Sequence, residues 1–451
     1  LELGCAAGGN LVPIAARFPN CRCVGIDASN NQIREGISFI DSLGLNNVEL
    51  RHQDIGDFSW TDAPFDYIIC HGVYSWVPEA TQRSILSICQ NHLAENGIAL
   101  ISYNTYPGWY LRRGVREMMG FHASGFHETQ TKIDQSRALV DFLAGAVRTD
   151  GDAYDQLLRE ELSILRSSED SYVYHEHLEK DNEPLFFYQF IERAEEAQLR
   201  YLGDAQFSTM VPSEFSASTQ ETLQSIAPGI VPMEQYLDFL RNRKFRQTLL
   251  CREAVQPSRT IQPNRLSELF VSTPLTVSED TEASGSNEAT FEHPSGQSIS
   301  VADNQTANAL RRLVEQWPNS LRVSAIIEQF EEEGIGQSIL ELYAQGLVSL
   351  SSTSVACQTQ PSACPKVRDL VRRQAEHGDF VTNERHERIP LDSFLAAIVT
   401  ELDGERDLDA IVERISARAS APDGGPLQTE DLRAAISAAL NQLAQAALLV
   451  D

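Results

Sequence analysis

The chain has 451 residues, which suggests about three domains, and its 36 Lys and Arg against 64 Asp and Glu give a formal net charge of −28. A hydrophobic content of 42% can fill several buried cores and excludes a wholly disordered chain. No run approaches the roughly 18 uninterrupted apolar residues of a membrane span, and the negative charge disfavours nucleic acid and anionic membranes, which bind cationic faces.

The first 119 residues alternate apolar strands with amphipathic helices. Strands are predicted at Leu1–Gly4, Val24–Asp27, Phe65–Cys70 and Ile98–Tyr103, and a helix carries Ile33, Ile37 and Ile40 on one face. Alternation of this kind predicts a parallel α/β sheet covered on both faces. Because Leu1 already reads as part of a strand, we expect the natural chain to start upstream.

The middle of the sequence is helical and then mixed. Residues 120–170 show helical spacing over Ser136–Val147 and Ala153–Leu165, without a strand signal. A helix over Phe187–Ala197, a strand over Leu199–Phe207 and a helix over Gln235–Leu250 are predicted next. Residues 272–286 have linker composition.

The last third contains two units of similar design, each with three helices and a short strand. The first runs through Asn308–Gln316, Val323–Phe330, Gln337–Gln345 and Leu347–Leu350, and the second through Ser393–Leu402, Leu408–Arg418, Glu430–Ala446 and Leu448–Val450. This order predicts a winged-helix-like fold. Residues 390–451 carry four arginines, no lysine and eleven acidic residues, a net charge of −7, which favours protein interaction over DNA binding.

Eight cysteines are spread along the chain without a CxxC pair. Several lie in apolar strand-like runs, as Cys70 does, where cysteine acts as a small hydrophobic residue. Reduced thiols and a cytoplasmic location are therefore expected.

A glycine-rich turn, Glu2-Leu-Gly-Cys-Ala-Ala-Gly-Gly-Asn10, joins the first strand to a helix. Glycines let the backbone approach a ligand there, and the helix N-terminus offers free N–H groups. Gly4, Ala6 and Gly9 approach a dinucleotide fingerprint, and Asp27 lies near the distance at which an NAD enzyme has its ribose-binding acid. By itself the turn is thus consistent with an NAD site, another nucleotide-like cofactor, or no ligand.

The motifs that follow favour a different cofactor. Gly25-Ile-Asp27-Ala-Ser, Gln53-Asp54-Ile55 and Phe65-Asp-Tyr-Ile-Ile69 come after the turn in that order. The set resembles class I S-adenosylmethionine (SAM)-dependent methyltransferases. The resemblance implies that the Gly4–Gly8 loop passes under the methionine part of SAM, that Asp27 accepts the ribose hydroxyls and that Asp54 accepts the adenine amino group. The cofactor contacts implied in addition come from Glu2, Asn10, Ala28, Ile55 and His71.

Further segments make the resemblance closer. They are His71-Gly-Val-Tyr-Ser-Trp-Val-Pro78, Ser102-Tyr-Asn-Thr-Tyr-Pro-Gly-Trp109, His175-Glu-His-Leu-Glu179, Asn182-Glu-Pro-Leu-Phe-Phe187 and residues 235–252. Together they are similar to bacterial methyltransferases with a methyltransferase regulatory domain, a group that includes rickettsial protein-lysine methyltransferases. The implied fold is α/β, with a Rossmann-like class I methyltransferase sheet and a helical insert, followed by mixed and mainly α, winged-helix-like domains.

That resemblance also implies a domain order. An N-terminally truncated SAM domain would span 1–119, a helical and dimerising insert 120–170, and a regulatory middle domain 171–265. A linker at 266–289 and a winged-helix-like domain at 290–451 would follow.

The ends of parallel strands are where an α/β sheet places its ligand crevice. The segments after Cys70 and Tyr103 should therefore line the methyl-transfer site. We expect catalytic roles for Tyr74, Tyr103 or Asn104, and acceptor contacts from Trp76, Tyr106, Trp109 and His175, although either tryptophan could equally be a wall residue. His175 and His177 would point the same way on a strand, but no third metal ligand accompanies them, so no metal site is predicted.

The acidic composition favours a basic acceptor. Residues 150–200 hold five basic and fourteen acidic residues, a net charge of −9, in the segment expected beside the crevice. We therefore expect methylation of lysine side chains in proteins. The alternatives are a small-molecule N- or O-methyltransferase and a non-catalytic SAM-binding regulator, which Ala6 in place of a glycine would permit.

Overall fold

The structure is a computed structural model of the 451-residue chain and describes residues 1–278, 289–330, 334–417 and 429–451. The chain divides into two compact units. The first comprises Leu1–Gly8, Val24–Gly36 and Glu49–Pro257, and the second Gly9–Cys23, Ile37–Val48 and Ser258–Asp451. Within these described ranges, every helix is too short or too polar to traverse a lipid bilayer.

The first unit is built on a seven-stranded sheet. Its strands are β1 (Glu2–Leu3), β2 (Cys23–Asp27), β3 (Val48–His52), β4 (Phe65–Cys70), β5 (Leu93–Asn104), β6 (Leu199–Asp204) and β7 (Phe245–Arg252), in the spatial order β3-β2-β1-β4-β5-β7-β6. Strands β1, β2, β4 and β5 pair in parallel, whereas β7 is antiparallel to both of its neighbours. The chain order reverses between β1 and β4, and a reversal of this kind opens a ligand crevice at the carboxyl ends of the strands.

Ten helices are described before residue 257, and four of them form a small core of their own. They are α1 (Leu11–Arg17), α2 (Asn30–Leu43), α3 (Glu79–His92), α4 (Trp109–Ala123), α5 (Thr129–Ala146), α6 (Ala153–Ser167), α7 (Asp170–Leu178), α8 (Phe187–Glu196), α9 (Ala217–Ile226) and α10 (Ile230–Arg241). Helices α4 to α7 bury Val115, Met119, Val140, Leu162 and Val173 together. The helical insert predicted at 120–170 falls within these four helices, which run from Trp109 to Leu178.

The structure differs from the prediction at a helix expected over Gln235–Leu250 and at a strand considered for His175 and His177. The helix predicted over Gln235–Leu250 ends at Arg241, where Asn242 adopts a left-handed conformation with φ 49°, and the chain then continues as β7. Burial in β7 alternates through Arg246, Thr248 and Leu250, the period of a strand. His175 lies on α7, a helix, so it does not share a strand face with His177.

A buried charge cluster fixes β7 against α10. Arg246 is fully buried and donates hydrogen bonds of 2.8 Å to both carboxylate oxygens of Asp238 and of 3.0 Å to Glu234. Arg243 donates to Asp204 on β6 at 2.8 Å. Removing either partner of such a pair leaves an uncompensated buried charge, so the cluster holds the extension of the sheet beyond β5 in one arrangement.

The second unit contains two hydrophobic cores. Around the first lie β8 (Phe270–Ser272), β9 (Thr276–Val277), β10 (Ala289–Glu292), β11 (Ser298–Val301), α11 (Asn304–Gln316), β12 (Leu321–Arg322), α12 (Val323–Phe330), α13 (Gly334–Ala344) and β13 (Ser349–Ser351). Around the second lie α14 (Asp369–His377), β14 (Phe380–Thr382), β15 (Arg388–Pro390), α15 (Ser393–Val399), α16 (Leu408–Ser416) and α17 (Thr429–Gln445). Strands β8 and β9 fall inside the predicted linker, and residues 279–288 of that linker lie outside the described residues.

Candidate active site

The turn between β1 and α1 has the backbone that its glycines predict. Gly4 and Gly8 have φ angles of +74° and +79°, a region open to glycine at no steric cost. A Cβ atom on Gly4 would lie 2.4 Å from Cγ2 of Val73, so no side chain fits there. Gly9 is exposed, and an added Cβ would meet nothing within 4 Å. The loop is therefore packed tightly on one side and open beside Gly9.

Asp27 ties this loop to the end of β2. Its Oδ2 accepts a hydrogen bond of 2.9 Å from the N–H of Ala6, and its Oδ1 accepts one of 2.8 Å from the N–H of Ser29. Ala6 itself has a φ of +50°, which the bond to Asp27 helps to maintain. Each carboxylate oxygen has a second lone pair, so Asp27 can still accept two hydroxyl groups of a ribose.

Asp54 occupies the equivalent place after β3. Its Oδ1 accepts a 2.7 Å hydrogen bond from the N–H of Gly56 and so caps the short turn Ile55–Asp57. Asp54 is exposed, whereas Ile55 is partly buried against the sheet core. Ala28 accepts through its carbonyl from His52 Nε2 at 3.0 Å if that nitrogen carries the proton. Asp54 and Ala28 thus follow the carboxyl ends of neighbouring strands β3 and β2, and their contacts with SAM stay a prediction.

Two glycines bring other elements against the loop: Gly25, which opens the motif before Asp27, and Gly36, which was not singled out from the sequence. A Cβ on Gly36 of α2 would lie 2.5 Å from the carbonyl oxygen of Ala7, and a Cβ on Gly25 of β2 would lie 2.7 Å from Cys5 Sγ. Glycine is unfavourable inside a helix, so its presence at position 36 of α2 is a sequence signal that another segment packs closely there. Both positions keep the loop close to the sheet.

The remaining predicted cofactor residues lie in different surroundings. Glu2 is buried within β1, and His71 is exposed at the end of β4 with its ring 5.8 Å from that of Phe245. Asn10 begins α1, and its Oδ1 lies 2.8 Å from Nε2 of His386.

Two serines connect the segments after β4 and β5. The N–H of Gly72 donates to Ser102 Oγ at 2.8 Å, and the N–H of Asn104 donates to Ser75 Oγ at 2.9 Å. Ser75 also accepts from the N–H of Glu183 through its carbonyl at 2.8 Å. The two segments predicted to line the crevice are thus joined by hydrogen bonds.

Tyr74 and Tyr103 do not have the surroundings of catalytic bases. Both are buried and contact Phe190 in the sheet core, and the Tyr103 hydroxyl lies 3.1 Å from Thr248 Oγ1. Burial raises the pKa of Tyr74 to about 12 and raises that of Tyr103 further above its usual range. Both phenols stay protonated near neutral pH, which disfavours a role as general base for either residue, and their catalytic roles stay a prediction.

Asn104, the third catalytic candidate, keeps an unused group. It is 5% exposed, and its side-chain Nδ2 has no hydrogen-bond partner among the described residues. Because buried polar groups are normally paired, this amide at the end of β5 is suited to a bound molecule.

Trp76 forms an aromatic wall with its neighbours. Its ring lies 4.5 Å from that of His175 and 6.1 Å from that of Trp109, and the Arg116 guanidinium lies 5.7 Å from its centre. Trp109 is 1% exposed, which favours the wall role for it. Trp76 and His175 keep exposed surface and remain acceptor-site candidates.

Tyr106 belongs to a separate aromatic group. It stacks on Tyr110 at 4.4 Å and lies 5.4 Å from Phe186, and its hydroxyl accepts from Arg113 at 3.0 Å. Its contacts are thus with α4 and the segment before α8 rather than with Trp76.

His177 lies two residues after His175 on α7 and belongs to the core. It is 1% exposed, and neither ring nitrogen has a hydrogen-bond partner within the described ranges. Burial lowers its pKa to about 4, and Arg112 adds to the effect. This imidazole is therefore neutral near pH 7.

Comparisons with known proteins agree with this geometry. Family profiles match a methyltransferase domain at residues 1–99, a predicted methyltransferase regulatory domain at 169–252 and a PKMT C-terminal winged helix domain at 364–448. An uncharacterised protein of Rickettsia prowazekii is 34% identical over 92% of this chain and 78% of its own length. A second uncharacterised protein of that organism is 40% identical over 45% of this chain and 81% of its own length.

A solved structure extends the similarity to the whole fold. PKMT2 from Rickettsia typhi, in complex with AdoHcy, aligns with a TM-score of 0.88 and 30% identity, over 100% of this chain and 93% of that chain. The chain belongs to the PKMT family of SAM-dependent methyltransferases. Its membership confirms the predicted fold class, with the Rossmann-like sheet and the C-terminal winged-helix domain, as well as the methyltransferase activity and the cofactor SAM.

Proposed function

We propose that this PKMT-family enzyme methylates the side-chain nitrogen of lysines in protein substrates. The supporting observation is the similarity to PKMT2 over the whole length of the chain, winged-helix domain included. More than 190 residues follow the first unit's last strand, and they include the segment that matches the PKMT winged helix domain.

The residues at the crevice suit the cofactor. The Gly4–Gly8 loop offers close backbone approach, and the carboxylates of Asp27 and Asp54 are acceptors for a ribose diol and an exocyclic amine. When bound, SAM supplies an electrophilic methyl group carried on a sulfonium. The protein's contribution is to hold the acceptor nitrogen in line with that group, an effect worth up to about 7–11 kcal/mol.

The acceptor amine must lose a proton before it can react, because lysine has a reference pKa of about 10.4. The guanidinium of Arg116 beside Trp76 disfavours a second positive charge there and so favours the neutral amine. Desolvation lowers the pKa of His175, so its ring beside Trp76 is neutral at pH 7 and can accept a proton. The unpaired Nδ2 of Asn104 is a donor and is available to an acceptor oxygen of a bound molecule.

Part of the negative charge of residues 150–200 can attract a cationic protein substrate. Several acids of residues 150–200 are already paired: Glu161 with Arg112, Asp170 with Arg137, and Glu183 with Arg193. Exposed carboxylates of α8, such as Glu192 and Glu195, remain to attract lysine-bearing chains. The overall charge of −28 supports the further proposals that nucleic acid is not a partner and that the protein does not insert into membranes.

The test is transfer of labelled methyl from SAM to a panel of unfolded lysine-rich proteins, with metabolites assayed in parallel. We expect label in protein, located on lysine by mass spectrometry, and its loss in Asp27→Ala. Label confined to small molecules would refute the proposal, and tight SAM binding without transfer would indicate a regulator. His175→Gln should lower the rate at and above neutral pH, where the imidazole is unprotonated, and the loss should shrink as the pH falls through the pKa of His175.

We also propose a homodimer formed through the helical insert, in the cytoplasm. The insert exposes apolar side chains, with Phe121 86% and Phe142 68% exposed, and such surfaces often mark interfaces. All eight cysteines are free thiols, which supports a reducing compartment. Light scattering should give a dimer for the natural chain and a monomer for Phe142→Ser, with Phe239→Ser outside the insert unchanged. A monomeric natural chain would contradict the proposal.

A further inference from the structure

A cavity of about 460 Å³ lies in the first unit between α3 and α8, and it shares no residue with the predicted cofactor contacts. Its volume is in the range of small-molecule sites. The lining comes from one face of α3, from the end of α8 and from Tyr74, and comprises Tyr74, Glu79, Gln82, Arg83, Leu86, Ser87, Gln90, Arg193, Glu196 and Ala197.

Tyr74, Gln82 and Leu86 form the buried part of the cavity lining, and the Tyr74 hydroxyl is the hydrogen-bond donor among them that is not already used. All three residues are buried, and the Tyr74 hydroxyl interacts with Arg193. Because a guanidinium can only donate, the O–H of Tyr74 itself finds no acceptor among the described residues. Arg193 of α8 also lines the cavity, and its positive charge partly offsets the rise that burial causes in the pKa of Tyr74. A buried donor without an acceptor is unusual in a folded protein. An acceptor such as a carboxylate would satisfy it.

The donors at this end are held in position by their neighbours. Arg193 donates to Gln82 Oε1 at 2.7 Å and to Glu183 Oε1 at 2.8 Å. The side-chain amide of Gln82 donates to the carbonyls of Tyr74 and Val77 at 3.0 and 3.3 Å. A preorganised guanidinium beside a phenol O–H is a favourable site for a carboxylate, because charge-assisted hydrogen bonds are the strong ones.

The outer part of the cavity has the opposite character. Glu79 and Glu196 are exposed there; Glu79 pairs with Arg83, and Glu196 makes no ion pair in the described part of the chain. Glu196 also lies at the C-terminal end of α8, where the helix dipole adds partial negative charge. Ala197 and Leu86 contribute apolar surface. An ammonium group and an aliphatic chain fit this part, whereas a phosphate would meet two carboxylates.

We propose that this cavity is a binding site for a small zwitterion of the α-amino acid class. The carboxylate would bind Tyr74 and Arg193, the ammonium would bind Glu196, and the side chain would pack on Leu86 and Ala197. Tyr74 starts the turn Tyr74–Trp76, and the adjacent Ser75 binds the N–H of Asn104. Occupancy therefore bears on the segment that carries Trp76, which gives the site a route to influence methyl transfer.

The test is calorimetric titration of the full chain with L-leucine, L-phenylalanine, L-glutamate and L-lysine. For the best binder, the analogues lacking the ammonium and lacking the carboxylate are titrated next; for leucine these are 4-methylpentanoate and 3-methylbutylamine. We expect at least one amino acid to bind and both analogues to bind roughly tenfold more weakly or worse. If no amino acid of the panel binds, the proposal is wrong.

Variants locate the binding in this cavity. Tyr74→Phe removes only the hydroxyl and should weaken amino acid binding by roughly tenfold, with SAM affinity and unfolding temperature retained. Glu196→Gln should weaken it as well, whereas Glu192→Gln, exposed on the same helix but outside the lining, should not. The proposal would be overturned if Tyr74→Phe bound the amino acid as tightly as the unsubstituted chain, or if Glu196→Gln and Glu192→Gln weakened binding equally. Either result would leave the proposal of lysine methylation standing, because that proposal is tested by methyl transfer.

Discussion

Removing the carboxylate of Asp27 should abolish most of the affinity for SAM. The carboxylate is placed by its bonds to the N–H groups of Ala6 and Ser29, and its remaining lone pairs face two ribose hydroxyls in the proposed complex. Hydrogen bonds to a charged group contribute about 1.5–3 kcal/mol each, so two of them amount to about 3–6 kcal/mol. Asp27→Ala should therefore raise the Kd for SAM by about 10²–10⁴-fold in calorimetric titration.

Two further variants make this result interpretable. Asp27→Asn keeps one acceptor oxygen but loses the charge, and should fall between the natural chain and Asp27→Ala. Asp41→Ala removes the same charge from an exposed position on α2 and should leave the Kd unchanged. Thermal unfolding of each variant separates loss of the site from loss of the fold. A Kd for Asp27→Ala within threefold of the natural value would refute the assignment of Asp27 to the cofactor.

Three other substitutions test particular contacts. Gly36→Ala inserts a Cβ against the glycine loop and should weaken SAM binding, whereas Gly120→Ala, with open space at its Cβ, should raise the free energy of unfolding by about 0.5–1 kcal/mol; equal effects on SAM binding would count against the contact. Tyr103→Phe should lower stability by about 1 kcal/mol in chemical denaturation but keep kcat within about threefold, and a large loss of kcat would restore it as a catalytic residue. His177 has a folded-state pKa of about 4 against 6.5 unfolded, so the unfolded chain binds more protons between these values and stability rises with pH across that window, by up to about 3 kcal/mol. His177→Phe should flatten that slope in denaturation curves measured from pH 4 to 6.5, and an unchanged slope would show that another group titrates.

The placement of the predicted cofactor residues was accessible from the sequence because each lies next to a strand. The glycine turn, Asp27 and Asp54 each follow a strand directly, so a strand pattern and a short motif suffice to bring them to one edge of the sheet. The acceptor side was less accessible. Asn104 and Trp76 were singled out because they lie in the segments that follow β5 and β4. Ser75 and Ser102, whose hydrogen bonds join those two segments, were not singled out.

Strand β7 shows why the rest could not be predicted. Its residues read as a continuation of α10, and only pairing with β5 and β6 makes them a strand. In that register Tyr103 lies opposite Arg246, and Tyr103 reaches Thr248, so the phenol belongs to the core instead of the crevice. A hydroxyl's role thus depended on a partner strand far along the chain.

From the sequence alone one could determine the α/β class, the acidic charge and the local SAM motifs, since each depends on neighbours a few residues apart. Only the tertiary structure decided which tyrosines are buried, where His175 and His177 separate on their helix, and that Arg246 has three buried acids around it. The physical reason is that burial and charge pairing are set by contacts between distant segments, which periodicity and short motifs do not encode.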